Sequence, residues 1–224
     1  NFKSLEDELK IYMCKNLSYS IIEYDYKLCE YRSFEIHELV EGQPCDCVER
    51  PYGKLNTAFY AYAEKVWFMS ENQKNSILSK TNLLKDEKCE VLSSVFDSGD
   101  LRFIKSISDN EKNENYLILN SPSPIKGTDN CIAYAEEHNL QYELIKDLSY
   151  HELLIKLSTS KGLIFLPAAS DTCPRLVIEA KLFGCDLILN NHVQHKDEPW
   201  FETAEKCWKH LETRQQTFWD YYER

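Results

Sequence analysis

The second half of the chain alternates short apolar runs with stretches in which apolar positions recur three or four residues apart. Apolar runs separated by helices of about ten residues are typical of a parallel sheet with both faces covered. The predicted strands are 116–119, 141–145, 163–166 and 186–189, and the predicted helices are 128–138, 150–158, 174–183 and one or two within 201–222. Ligands of such a sheet bind beyond the carboxyl ends of its strands, which makes the loops there the candidate functional segments.

The first half is less regular but contains the same kinds of element. Its pattern predicts helices at 5–16, 55–65 and 71–80, strands at 20–25, 66–70 and 90–97, and a long loop at 26–54. The polar stretch 106–115 has the composition of a linker or an exposed turn. We therefore expect an α/β protein in two parts, 1–105 and 106–224.

Composition excludes several classes of function. The 224 residues carry 26 Lys and Arg against 37 Asp and Glu, a net charge of −11, which disfavours nucleic acid as a partner. No apolar stretch approaches the length of a transmembrane segment. The six glycines are too dispersed for a dinucleotide fingerprint or a P-loop. Nine cysteines, an odd number, and no visible secretion signal favour reduced thiols and a cytoplasmic location.

The predicted loop 26–54 contains a candidate metal site. Cys29, His37, Cys45 and Cys47 follow the spacing C-x7-H-x7-C-x-C. Three thiols and an imidazole would form a closed tetrahedral zinc site, whose role would be structural because four protein ligands leave no open position. The alternative is that these are unrelated cysteines in a cysteine-rich chain.

A second constellation follows the strand at 163–166. Pro174 suits the start of a helix and Gly184 its end, so the loop between delivers Asp171 to a helix N-terminus and places Glu179 in the second turn. A helix N-terminus attracts phosphate, and a carboxylate further along would accept both hydroxyls of a ribose. Alternatively, Asp171 only caps the helix and Glu179 only pairs with Arg175.

The stretch 166–189 resembles the signature of retaining GT-B glycosyltransferases grouped around family 4. In that signature two acids are separated by seven residues and followed by alanine, glycine and an apolar strand, here Asp171, Glu179, Ala180, Gly184 and DLILN. Segments 65–80, 91–103 and 116–137 are similar in order and spacing. The resemblance implies a GT-B-like fold of Rossmann-type sheets, with 106–224 as the donor domain and 1–105 as a shortened acceptor-side domain. It also implies transfer of a sugar from a nucleotide-sugar to a glycan or small-molecule acceptor, with retention and without a required cofactor.

Roles for individual residues follow from the same resemblance. Lys126 would bind the donor diphosphate and act with Asp171, which would face the transferred sugar, while Glu179 would bind the nucleotide ribose. The turn after Asp171 would offer backbone N–H groups to the donor. The full set of implied donor-binding residues is Asn120, Lys126, Asp171, Thr172, Cys173, Arg175, Leu176, Val177 and Glu179.

Two departures from the family pattern leave alternatives open. Asn120 and Ser121 stand where the family has Gly-Arg, and we hypothesise that Arg175 supplies the missing positive charge, unless it is only a surface partner of Glu179. The first part is short and lacks the family's glycine-rich loop and catalytic histidine. Either the sequence is a fragment of a longer protein, or a second copy or another protein completes the acceptor side. The alternative function is a non-catalytic GT-B-like binding or assembly module with a structural zinc site.

Overall fold

Two parallel β-sheets organise the chain. A computed structural model describes residues 2–223 and divides the chain into two compact units, Asn1–Ser93 and Ser94–Arg224. This division lies before the predicted boundary at residue 105, because the segment after Ser94 packs with the second unit. The expected α/β class with parallel sheets in two parts is confirmed.

The first unit contains a three-stranded sheet of order β1-β2-β3. Its strands are β1 (Ser20–Glu23), β2 (Lys65–Phe68) and β3 (Cys89–Val91), and its helices are α1 (Asp7–Asn16), α2 (Phe34–Glu41), α3 (Pro51–Tyr62) and α4 (Glu71–Leu78), with 3-10 turns at Phe2–Ser4, Cys47–Glu49 and Asp86–Lys88. Ile21, Val66 and Phe68 extend from the strands into one apolar core, where Phe59 and Ile77 of the helices meet them.

The second unit contains a four-stranded sheet of order β5-β4-β6-β7. Its strands are β4 (Tyr116–Leu119), β5 (Tyr142–Ile145), β6 (Gly162–Phe165) and β7 (Asp186–Leu189), and its helices are α5 (Ser98–Ser106), α6 (Thr128–Glu137), α7 (Tyr150–Thr159), α8 (Arg175–Leu182) and α9 (Ala204–Tyr222), with 3-10 turns at Pro124–Lys126 and Pro199–Phe201. The chain runs from β4 to β5 on one side and then crosses back to β6 on the other. The switch point, where such sheets bind ligands, therefore lies between β4 and β6.

Three predicted elements need correction. The stretch 26–54 is not one long loop, because α2 forms inside it between the cap of Ser33, whose hydroxyl accepts from the Ile36 N–H, and Gly42 at φ +70°. Helix α3 begins at Pro51 rather than at residue 55. Strand β3 ends at Val91 rather than at residue 97, because the Leu92 and Ser93 N–H groups both donate to the Phe68 carbonyl and Ser93 adopts φ +62°, which breaks the ladder.

Helix α9 is the longest helix and carries charged side chains among its aromatic ones. Within residues 2–223, no helix combines the length and the apolar character that crossing a lipid bilayer requires.

Candidate active site

The loops that follow β4 and β6 touch at the switch point of the second sheet. Gly127 adopts φ +65°, and a Cβ at this position would lie 2.0 Å from the carbonyl oxygen of Leu166. The Ala168 N–H donates to the carbonyl of Ile125 at 2.8 Å and ties the two loops together. A residue without a side chain is therefore what allows the Lys126 loop to lie directly on the loop that carries Asp171.

Lys126 and Asp171 form an ion pair at this junction. The ammonium of Lys126 lies 2.6 Å from Oδ2 of Asp171, and the side chains are 33% and 12% exposed, respectively. The Asp171 backbone is fixed by the loop after β7, since its N–H donates to His192 at 2.8 Å and its carbonyl accepts from Gln194 at 3.1 Å. The structure thus brings together the two residues predicted to act on the donor, with both still reachable from solvent.

The predicted N–H-donating turn leads into α8. Thr172 and Cys173 are buried, and the carbonyl of Cys173 accepts a hydrogen bond from the Ser94 hydroxyl at 3.1 Å. Burial raises the pKa of the Cys173 thiol to about 12, so it stays protonated at neutral pH. Pro174 is the residue before the helix rather than its first member.

The first turn of α8 contains the other predicted donor contacts. The N–H groups of Arg175 and Leu176 stand where a helix has no partner of its own for them. The Val177 N–H donates to the carbonyl of Pro174 at 3.1 Å, and the Val177 side chain is buried. Val177 therefore supports the start of the helix from inside, while the two residues before it present the N–H groups.

Glu179 is a buried acid, 1% exposed, whose carboxylate contacts a hydroxyl and a guanidinium group. Its Oε1 accepts from the Tyr150 hydroxyl at 3.0 Å and lies 3.5 Å from Nε of Arg175. Burial raises the pKa of the Glu179 carboxyl above its usual range, and the Tyr150 hydrogen bond and the Arg175 charge oppose that rise. The predicted pairing of Glu179 with Arg175 is present in the structure.

Arg175 extends away from the helix into an aromatic setting. Its guanidinium lies 4.3 Å from the ring centre of Phe96 and 5.3 Å from that of Tyr150. It donates to the Tyr150 hydroxyl at 2.9 Å, which in turn donates to Glu179, and it lies 3.5 Å from Asp100. Sequence reasoning missed Tyr150, Phe96 and Asp100, because they lie on other segments at separations that no local spacing reveals.

A cavity of about 350 Å³ opens beside these loops. Asn120 belongs to its lining, whereas Lys126 and Asp171 do not; the lining residues are Asn120, Ser121, Pro122, Ser123, Pro124, Gly127, Thr128, Asp129, Asn130 and Ala168. The Asn120 N–H is held by the carbonyl of Ile145 at 2.9 Å, and its side chain is exposed. Asn120 thus lies at the carboxyl edge of the sheet, as predicted.

The predicted metal ligands are also brought together, in the first unit. The ligand atoms of Cys29, His37, Cys45 and Cys47 all lie within 4.8 Å of one another. We call these four residues the Cys/His cluster.

A buried ionic group that the sequence analysis did not single out lies at the end of β1. The ammonium of Lys27 is 2.6 Å from Glu23 and 3.0 Å from Asp25, and the side chains of Lys27 and Glu23 are 1% and 0% exposed. The Tyr60 hydroxyl also donates to Glu23. Burial raises the pKa of Glu23 to about 7, against the opposing charge of Lys27.

Comparison with known proteins yields solved structures alone. No family model matches the sequence, and no curated protein matches it either. Sucrose-phosphate synthase from Thermosynechococcus elongatus is similar over 93% of this chain and 68% of its own, at 11% identity and a TM-score of 0.55. HepE from Anabaena, in complex with UDP and glucose, is similar over 94% of this chain and 72% of its own, at 12% identity and a TM-score of 0.48. At this identity the likeness establishes the fold, which is the GT-B-like α/β class expected from the sequence.

Proposed function

We propose that this chain is a glycosyltransferase that moves a sugar from a nucleotide-sugar donor to a glycan or other acceptor, with retention of configuration. The observation that carries the proposal is the Lys126–Asp171 ion pair, 2.6 Å apart, where the loops after β4 and β6 meet. The fold shared with sucrose-phosphate synthase and the likeness of residues 166–189 to a glycosyltransferase signature support it.

The second unit would promote the transfer by positioning the nucleotide-sugar and stabilising the charge that develops on its diphosphate. Lys126 and the N-terminus of α8 would hold the diphosphate and stabilise its charge as the sugar leaves. Asp171, which pairs with Lys126, would face the transferred sugar. A bound diphosphate would compete with Asp171 for the ammonium of Lys126, so donor binding would separate the present ion pair.

Glu179 would bind the ribose of the nucleotide-sugar, and its carboxylate already contacts two hydrogen-bonding groups of the protein. Its Oε1 accepts from Tyr150 and lies near Arg175, and its side chain is 2% exposed. A ribose diol would therefore replace the Tyr150 hydroxyl or bind beside it. In either case Tyr150 becomes part of the proposed donor site, and Arg175 supplies the positive charge that Asn120 and Ser121 lack.

The test is nucleotide binding followed by turnover. We would measure the thermal shift of the full chain with UDP, GDP, ADP and CMP and with their common sugar conjugates. A ligand at about 100 times its dissociation constant adds about 2.7 kcal/mol to stability. Lys126→Ala and Glu179→Gln should reduce the shift given by the one nucleotide that binds the wild type.

The matched control is Lys156→Ala, which removes an ion pair of similar length, 2.7 Å, between Lys156 and Glu143. It should leave the nucleotide-induced shift unchanged. If no nucleotide stabilises the folded wild type, the donor-site assignment is wrong. In another outcome, a nucleotide binds while no glycan in a panel of acceptors receives a sugar from the nucleotide-sugar. That result would replace the transferase proposal with the alternative of a non-catalytic binding or assembly module.

A further inference from the structure

The Cys/His cluster lies in the first unit and takes no part in the candidate active site. Cys29, His37 and Cys47 are 0% exposed, and Cys45 is half-buried. We infer that the cluster binds one zinc ion in a closed tetrahedral site. This inference is independent of the proposed transferase activity, whose residues all lie in the second unit.

The three distances among Cys29, His37 and Cys47 are close to the edges of a zinc tetrahedron. Sγ of Cys47 lies 3.9 Å from Sγ of Cys29 and 3.4 Å from Nδ1 of His37, and Sγ of Cys29 lies 3.8 Å from the same nitrogen. With Zn–S of about 2.3 Å and Zn–N of about 2.0–2.1 Å, tetrahedral ligands lie about 3.5–3.8 Å apart. A zinc ion therefore fits between these atoms with only small movements of the side chains.

A disulfide does not explain the arrangement. The Sγ atoms of Cys29 and Cys47 are 3.9 Å apart, far more than the roughly 2.05 Å of a covalent bridge. A bridge between any two of the thiols would also not explain why the third thiol and the imidazole lie beside them. A single cation accounts for all four groups at once.

The orientation of His37 supports ligation through Nδ1. That nitrogen faces the thiols, while Nε2 points to the other side, 3.7 Å from Oδ1 of Asp46. Nε2 is buried and finds no hydrogen-bond partner in the part of the chain that the structure describes. In metal sites the second nitrogen of a ligating histidine commonly donates to a carboxylate. Asp46, which Arg50 holds at 2.7 Å, is placed to become that carboxylate after a small closure.

The segment around the cluster has few buried apolar side chains of its own, although Phe34 and Val48 pack, partly buried, against the core of the first unit. From residue 30 to residue 50 the buried side chains are those of Ser33, His37 and Cys47, none of which is aliphatic. Leu39 and Val40 of α2 are 80% and 60% exposed, so α2 is not anchored by them. A metal would join the turn after β1, helix α2 and the 3-10 turn at Cys47–Glu49, and its binding energy would stabilise this segment.

The ligand set indicates zinc and a structural role. Thiolates with an imidazole suit zinc, whose structural sites are four-coordinate and closed. Binding would convert the three thiols to thiolates and release their protons to solvent. No coordination position would remain for substrate or water.

The first experiment is metal analysis of the full chain purified under reducing conditions without a chelator. We expect one zinc ion per chain by mass spectrometry of the metal content. Replacement by Co²⁺ should give a thiolate-to-metal charge-transfer band and the intense ligand-field bands of tetrahedral cobalt. Cys45→Ser is the most informative variant, because Cys45 is the least buried ligand and its loss disturbs the interior least.

We expect Cys45→Ser and His37→Ala to weaken zinc binding by more than about 100-fold, because the loss of outer partners alone costs about 10–100-fold. Cys14→Ser removes a thiol of the same unit outside the cluster and should bind zinc as the wild type does. The inference is overturned if the wild type neither contains zinc nor takes up Co²⁺ in tetrahedral form, or if Cys14→Ser and Cys45→Ser lose metal equally. Where a ligand variant fails to fold, the cobalt spectrum of the wild type decides.

Discussion

We predict that the second unit loses stability at mildly acidic pH because it buries the imidazole of His195. The side chain is 0% exposed, stacked 5.4 Å from the ring of Trp200 and set edge-on at 4.6 Å against Phe201. Within residues 2–223 neither ring nitrogen has a hydrogen-bond partner. Burial lowers the pKa of this imidazole to about 3.

The magnitude follows from the difference between the folded and unfolded pKa values. The unfolded chain protonates His195 near pH 6.5 and the folded chain only near pH 3, so the unfolded state binds more protons between these values. The stability contributed by keeping His195 neutral is complete above about pH 6.5 and is lost as the pH falls. Between pH 7 and pH 5 the loss amounts to about 2 kcal/mol.

The substitution that tests this effect is His195→Leu, which keeps an apolar side chain in the stack and removes the titration. We would measure the free energy of unfolding at pH 7 and pH 5 by urea titration. Tryptophan fluorescence reports mainly on the second unit, which holds three of the four tryptophans. The variant should lose about 2 kcal/mol less than the wild type between the two pH values.

The unfolding free energies at pH 7 and pH 5 are compared within each variant, so any packing cost of the new side chain cancels. Leu211→Ala, which opens a cavity at a site that is 1% exposed, is the matched control and should keep the full pH dependence. The imidazole of His210, whose pKa burial and the charge of Arg214 lower to about 4, adds acid sensitivity that both variants retain. If His195→Leu and the wild type lose stability to within about 0.5 kcal/mol of each other, His195 does not resist protonation as argued.

Three further predictions concern both units. Gly127→Ala should destabilise the second unit in a thermal unfolding assay and weaken nucleotide binding, because its Cβ would lie 2.0 Å from a carbonyl oxygen. The control Gly184→Ala is also at φ +65° but in open space, and it should cost only about 1–2 kcal/mol in the same assay. Lys27→Met should lower the free energy of unfolding by about 3–5 kcal/mol, because it removes the cation that pairs with the fully buried Glu23. Lys156→Met, at an exposed ion pair, should cost at most about 1 kcal/mol, and equal losses would contradict the contrast. Asp46→Asn should weaken zinc binding by about 10–100-fold in a competition titration without changing the stoichiometry, and wild-type affinity would remove its role.

The sheet of the second unit could be predicted because its strands are short, apolar and evenly spaced. Strands β4 and β7 occupy the predicted residues, and α7 differs from its predicted bounds by one residue. The start of α7 is marked by a capping box between Ser149 and Glu152, a signal that acts within four residues. Where the determinants are local, the pattern of the sequence is sufficient.

Two short helices were not predicted although their caps were present. Helix α2 lies between Ser33 and Gly42, both typical end signals, but its eight residues make little more than two turns. Helix α5 has nine residues and buries only Leu101 and Ile104. Contacts between distant segments, such as the bond from Tyr150 to Glu179, depend on how the sheet orders its strands and leave no trace in local spacing.

The two proposed sites differ in the same way, since one is formed by a single segment and the other by contacts between distant segments. The two proposals can therefore be tested independently. The Cys/His cluster spans one segment of the first unit, whereas Lys126 and Asp171 are brought together by the sheet of the second unit. A chelator should therefore lower the thermal stability of the wild type, by an amount that Cys45→Ser no longer shows. It should leave the nucleotide-induced shift intact, because every residue proposed to contact the nucleotide lies in Ser94–Arg224. Loss of that shift on chelation, with the second unit still folded, would contradict the placement of all donor contacts in the second unit.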